Sequence, residues 1–149
     1  ELNCPIADKA QAQLSEEILR EIHSFLKENA PYYLATVDEY QARVRPMGTS
    51  NVFENRLYFQ TGRSKGVYRQ LKSRPRVEIA AFDGERWLRI TGFAHEDDST
   101  EAAESLLESY PHLRERYAPG DGNMAMFYLD ISAAYLEDAS SGLQTVLVS

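Results

Sequence analysis

The sequence predicts a mainly β domain, an antiparallel barrel with α additions. Six to eight short segments of alternating or aromatic-rich apolar residues succeed one another between Tyr32 and Val148. Turn signals separate many of them, at Asp38-Glu39, Glu54-Asn55, Asp83-Gly84 and Ser141-Gly142. Helical periodicity is confined to three places along the chain. Sequentially paired strands with a few helices are the signature of such a barrel, and 149 residues suit one domain.

Residues 1–14 read as a loose arm, and 15–149 as the domain proper. Ser15 is placed to cap a helix with Glu16 and Glu17 at its positive end. Ile18, Leu19, Ile22, Phe25 and Leu26 form its apolar stripe, and Pro31 stops it. Strands follow at 32–37, 41–53 and 56–61, the last with alternating Leu57 and Phe59. After the loop 62–64, residues 65–73 read as a short helix with Val67, Leu71 and Tyr68 inward, ended before Pro75. Residues 77–82 and 86–95 flank the Asp83-Gly84 hairpin turn. Asp98 with Glu101 reads as a capping box for a helix buried through Ala102, Leu106 and Leu107. A further short helix at 111–117, a loop at 119–122, and strands at 124–131, 135–137 and 143–148 complete the chain.

The charge is distributed unevenly. Nine of the 16 Lys and Arg residues lie between Arg43 and Arg76, against the single acid Glu54. That segment is therefore +8 in a chain of net charge −7, and the remainder is −15. A sequence pI near 5.0 argues against a nucleic-acid binder, which presents a broad basic field. A compact anion held in a locally positive site fits better. No apolar run approaches the roughly 20 residues that span a bilayer, the chain start lacks a secretory pattern, and one cysteine, Cys4, makes no intramolecular disulfide. The expected location is cytoplasmic, without membrane or nucleic-acid partners.

Within the basic segment, Arg43, Arg45 and Met47 share one strand face while Val44, Pro46 and Gly48 share the other. Two arginines on one side suit an oxyanion, since each planar guanidinium binds oxygen pairs. Taken alone, the same strand reads more readily as a solvated face. Gln60-Thr61-Gly62-Arg63-Ser64-Lys65 ends a strand and opens a helix with hydroxyls and a lysine, a pattern suited to a phosphate monoester or to an ordinary cap. Pairing of 43–47 with 57–61 across the Glu54-Asn55 turn would set the arginines beside that loop. Arg69, Lys72, Arg74 and Arg76 read as surface charges. Trp87, at the start of a strand, is core, interface or a platform for a flat ring.

Together these segments resemble the pyridoxamine 5′-phosphate oxidase-like family of FMN-binding split β-barrels. Tyr33-Leu34-Ala35-Thr36, Arg43-Val44-Arg45-Pro46-Met47, Leu57-Tyr58-Phe59-Gln60-Thr61 and Ser64-Lys65 leading into Val67-Tyr68-Arg69-Gln70-Leu71 carry the likeness. Arg74-Pro75-Arg76-Val77-Glu78 and Trp87-Leu88-Arg89-Ile90-Thr91-Gly92 continue it. Met126-Phe127-Tyr128-Leu129 is similar to a small single-domain, nitroimidazole-resistance (Nim)-like branch. The resemblance implies a Greek-key-like split barrel, a homodimer and FMN at the subunit interface. It places Arg43 and Arg45 on the cofactor-contacting strand, Pro46, Met47 and Gly48 beside the ring system, and Gln60 and Thr61 at the end of the next strand. Ser64 and Lys65 match the phosphate-gripping positions. Trp87 stands where the pyridoxamine phosphate oxidases carry a glutamine near the flavin, a departure that leaves its role open.

The implied function is an FMN-dependent oxidoreductase acting on a small organic substrate, a nitroaromatic being the concrete case. The alternative is a protein of the same fold that binds, senses or stores flavin, F420 or haem without turnover; the lack of a histidine in the basic segment weighs against haem. No residue stands out as a catalytic acid or base. His23, His95 and His112 lack metal-ligand spacing, so no metal site is expected.

Overall fold

The computed structural model describes residues 5–149, with side chains from Glu16 onward. Helix α1 spans Pro5–Glu28 and so begins well before Ser15. The expected arm is therefore helical from Pro5. Its Ala- and Gln-rich sequence favours a helix, and proline is suited to the first turn. Residues 1–4, with Cys4, lie outside the described residues. The expected stripe is the buried one: Ile22 and Leu26 are enclosed, with Phe25 close behind and Ile18 and Leu19 packed against the same cluster.

Strands β1 (Tyr32–Asp38) and β2 (Gln41–Met47) form a hairpin, in register from Tyr32↔Met47 to Asp38↔Gln41. Glu39 makes the turn in the left-handed region, at φ 56°. The single strand expected over 41–53 is two strands, because residues 48–50 leave the sheet before β3 (Asn51–Phe53). Pro46 cannot donate to a ladder. Beyond it the chain is held by other bonds: Tyr32 Oη donates to the Thr49 carbonyl at 2.6 Å, and the Gln60 N–H donates to Thr49 Oγ1 at 3.1 Å. The break changes the pairing. β4 (Arg56–Gly62) pairs with β3 across Glu54-Asn55 and with the later strand β7, and not with β2, so the expected pairing of 43–47 with 57–61 does not form.

After β4 come helix α2 (Gly66–Ser73), strands β5 (Arg76–Phe82) and β6 (Arg86–Asp97), and helix α3 (Thr100–Ser109). Ser99 rather than Asp98 caps α3, its Oγ accepting the Ala102 N–H at 3.1 Å. A 3-10 turn at Pro111–Glu115 leads to β7 (Met124–Asp138) and β8 (Gln144–Val148). β7 is continuous where two strands were expected; the 132–134 interruption is a bulge, the register skipping Ser132 between Gly92↔Ile131 and Thr91↔Ala133. A side chain on Gly92 would land on the Asp130 carbonyl, so this close passage requires glycine.

The eight strands make one antiparallel sheet in the order β2-β1-β5-β6-β7-β4-β3, with β8 on β7. It curls without closing by hydrogen bonds. Alternate residues, among them Leu34, Phe59, Ile79, Leu88, Ile90 and Phe127, fill its interior, joined by Leu71 and Val67 of α2. A second cluster lies beneath α3, where Leu106 and Leu107 meet Tyr58, Met124 and Met126. Among the described residues no helix is long and apolar enough to cross a membrane.

Candidate functional site

Helix α2 brings distant parts of the basic segment together. β4 delivers the chain to the loop 62–65, whose first residues are fixed from the far side. The Arg63 N–H donates to the Asn123 carbonyl at 2.7 Å, and a side chain on Gly62 would meet Tyr117 Oη. The Lys65 N–H closes the loop onto the Gly62 carbonyl at 3.1 Å. Lys65 is the N-cap of α2 and contributes no side-chain cap bond. Ser64 and Lys65 are exposed at the helix start, where the first N–H groups lack intrahelical acceptors.

α2 packs against β1, β4 and β6. Val67 and Leu71 turn inward, and with them the polar Gln70. Gln70 reaches the inner face of β1 and β2, where its Oε1 accepts from Arg45 Nη2 at 2.5 Å and from Thr36 Oγ1 at 2.6 Å. Arg45 Nη1 donates to Thr36 Oγ1 at 2.7 Å and to the Leu34 carbonyl at 3.2 Å. The Arg45 guanidinium is thus half-buried among neutral acceptors. No carboxylate pairs with it among the described residues. Burial, and then the like charge of Arg43, lower its pKa. Neither effect is offset by an ion pair to Arg45 among the described residues.

Arg43 shares the face of Arg45 as expected, exposed and 3.5 Å from Asp38. Lys65 makes no ion pair among the described residues, whereas Arg63 leans toward Glu96 and Asp98, at 3.8 and 3.6 Å. Arg63 also lines a cleft of about 340 Å³ between the α3 N-terminus and residues 119–122. Lys72 pairs with Glu96 at 3.4 Å and Arg76 lies over the Phe93 ring, which accounts for them as surface charges.

No hydrogen bond joins the other expected site residues to Arg45, Thr36 or Gln70. Met47 packs into the barrel core, and Pro46 is exposed on the opposite sheet face. Gly48 faces open space. Gln60 and Thr61 are buried, and Gln60 Nε2 has no hydrogen-bond partner among the described residues. Trp87, 40% exposed, stacks on Phe82 with ring centroids 4.2 Å apart, on the outer face of the sheet. Two residues of the cluster, Thr36 and Gln70, were not expected. Their signal was a polar residue in an apolar phase: Thr36 follows Tyr32 and Leu34 on the inner face of β1, and Gln70 keeps step with Val67 and Leu71.

An open antiparallel sheet curled into a barrel, with α2 packed against β1, β4 and β6, defines a split-barrel protein. The chain belongs to the pyridoxamine 5′-phosphate oxidase family, whose pattern matches residues 18–137. No curated protein matches it in sequence. Among solved structures, a NimC/NimA family protein from Clostridium acetobutylicum superposes with a TM-score of 0.85 at 30% identity, covering 92% of this chain and 96% of its own. A general stress FMN/FAD binding protein from Xanthomonas citri gives 0.65 at 21% identity, over 86% and 93% of the two chains. An F420 reductase gives 0.57 at 20% identity, over 75% and 94%. The last two likenesses establish the fold.

Proposed function

We propose that the protein is an FMN-dependent oxidoreductase that works as a homodimer, with flavin at the subunit interface and a small organic molecule, such as a nitroaromatic, as substrate. The observation that carries this reading is Arg45: a half-buried guanidinium without a carboxylate, linked through Gln70 to the start of α2 beside Lys65 and Ser64. A phosphate monoester supplies the missing negative charge and accepts from the free N–H groups there. Arg43, Arg45, Ser64 and Lys65 would hold the phosphate. The Gly48 backbone, open to close approach, would border the ring. The flavin supplies the redox chemistry, and the protein positions it and sets its electrostatic surroundings.

The outer sheet face supports a second copy. Tyr33, Val44, Phe82 and Trp87 are exposed there on adjacent strands beside Pro46. Such an apolar face marks an interaction surface. A second subunit on it accounts for Trp87 and Pro46 lying away from Arg45 within one chain. The likeness to the NimC/NimA family protein fits the Nim-like branch on which the nitroaromatic reading rests.

A second reading, flavin or F420 binding without turnover, draws on the make-up of the cluster. The side chains bonded to Arg45 are an amide and a hydroxyl, with no carboxylate, histidine or thiol among them to move a proton near neutral pH.

The test is a flavin titration of the purified protein followed by anaerobic reduction. Saturable FMN binding, weakened about tenfold or more in Lys65→Ala with the fold unchanged, is expected for loss of one charge-assisted contact. Reoxidation of the bound reduced flavin by a nitroaromatic is expected of the enzyme. Binding without that reoxidation selects the binding role, and no FMN binding removes both flavin readings.

A further inference from the structure

Gln70 is nine-tenths buried on a helix face otherwise occupied by Val67 and Leu71. A buried amide is costly unless its polar atoms are bonded. The two recorded bonds both fall on Oε1, from Arg45 Nη2 at 2.5 Å and Thr36 Oγ1 at 2.6 Å. Two donors on that branch fix the orientation of the amide, because Nε2 cannot accept them. Nε2 therefore lies on the other branch. It sits 3.6 Å from the point where a Gly66 side chain would begin, at the first residue of α2. Nε2 is thus within van der Waals reach of the α2 start.

This arrangement ties a guanidinium to a helix start through one amide. Thr36 completes the frame: its hydroxyl accepts from Arg45 Nη1 at 2.7 Å and donates to Gln70. Arg45 is thereby held by neutral groups that fix its plane and leave its charge uncompensated. A carboxylate in the place of Gln70 would hold the same guanidinium and cancel that charge.

We propose that Gln70 is a positioning and recognition residue of the phosphate site: its Oε1 orients Arg45, and its Nε2 donates to the phosphate monoester lying between Arg45 and the α2 N-terminus. This rests on the reading of the cluster as the flavin phosphate site. Gln70 thus contributes to the preference for FMN over riboflavin, which lacks the phosphate.

Titrations with FMN and with riboflavin, on wild type, Lys65→Ala, Arg45→Ala, Gln70→Leu, Gln70→Glu and the Arg45→Ala/Gln70→Leu double variant, test it. Gln70→Leu is expected to weaken FMN about tenfold and to leave riboflavin within about twofold, since only the phosphate contact is lost. In the Arg45→Ala background the same change should add much less, because the two residues act as one unit. Gln70→Glu still bonds Arg45 and should keep the flavin-free melting temperature while losing the FMN preference; should Gln70→Leu fail to fold, this variant decides. Equal losses for FMN and riboflavin, full additivity with Arg45→Ala, or an FMN preference retained in Gln70→Glu each overturns the role. A wild type without preference for FMN overturns the phosphate site and this role together. A preference lost in Arg45→Ala and Lys65→Ala but kept in the Gln70 variants overturns the role of Gln70 alone.

Discussion

At the residue scale, Arg45 and Gly92 show two kinds of necessity. On the proposed reading Arg45 serves an anion: its bonds run to neutral acceptors and its charge has no carboxylate partner among the described residues. Arg45→Met keeps much of the side-chain volume and removes the charge, so we expect flavin-free stability to change by less than about 1 kcal/mol, read by chemical denaturation, while FMN affinity falls. Gly92 serves the fold. Gly92→Ala drives a methyl group into the Asp130 carbonyl where β6 and β7 bulge, and a loss of about 1–3 kcal/mol is expected from the same measurement. Charge drew attention to Arg43, Arg45 and Lys65 in the sequence. It could not reveal Gln70 and Thr36, which are uncharged and matter because of what they touch across 34 residues of chain.

At the element scale, local rules were legible and long-range pairing was not. The Glu54-Asn55 turn joins β3 and β4 as its residues suggest, with both in the left-handed region at φ 48° and 61°. Glutamate is poorly suited to that conformation, so Glu54→Asn with Asn55→Gly should raise stability by about 0.5–1 kcal/mol, measured by denaturation. The break between β2 and β3 was harder to read, because Pro46 and Gly48 allow a bent strand as readily as a severed one. What decides it is Thr49, gripped by Tyr32 and Gln60 from elsewhere in the chain. β7 looked like two strands because its bulge at Ser132 interrupts the alternation that identifies a strand. At its far end Asp138 accepts from the backbone and side chains of Ser140 and Ser141, which holds its pKa down at about 2. A depressed carboxyl pKa stabilises the folded turn above the unfolded value of 3.8, and that contribution disappears as the pH falls through about 2. Hydrogen exchange in the Gln144–Val148 strand should therefore quicken in Asp138→Ala at pH 6, and the variant and wild type should converge at the acid end.

At the scale of the whole molecule, a chain of net charge −7 carries nine of its 16 cations between Arg43 and Arg76. The basic segment is only partly a site. Arg43, Arg56, Arg63, Lys72 and Arg76 each have an acid or a ring nearby, and of the rest Arg45 and Lys65 are the two tied to the loop and the α2 start. The family and the barrel were readable from the order of soft motifs, since together they specify strand, loop and helix in sequence. The outer face was not, because Tyr33, Val44 and Trp87 look like core residues in a strand pattern and are exposed in one chain. A homodimer across that face should therefore elute as a dimer at micromolar concentration, and Trp87→Glu with Val44→Glu should shift it to monomer. The central claim, that Arg45 and the α2 start form a flavin phosphate site, is tested most directly by comparing FMN and riboflavin affinities in wild type and Arg45→Ala. The account predicts a wild type that favours FMN and an Arg45→Ala variant that has lost most of that preference at unchanged riboflavin affinity. Equal affinity for the two flavins in the wild type would contradict it.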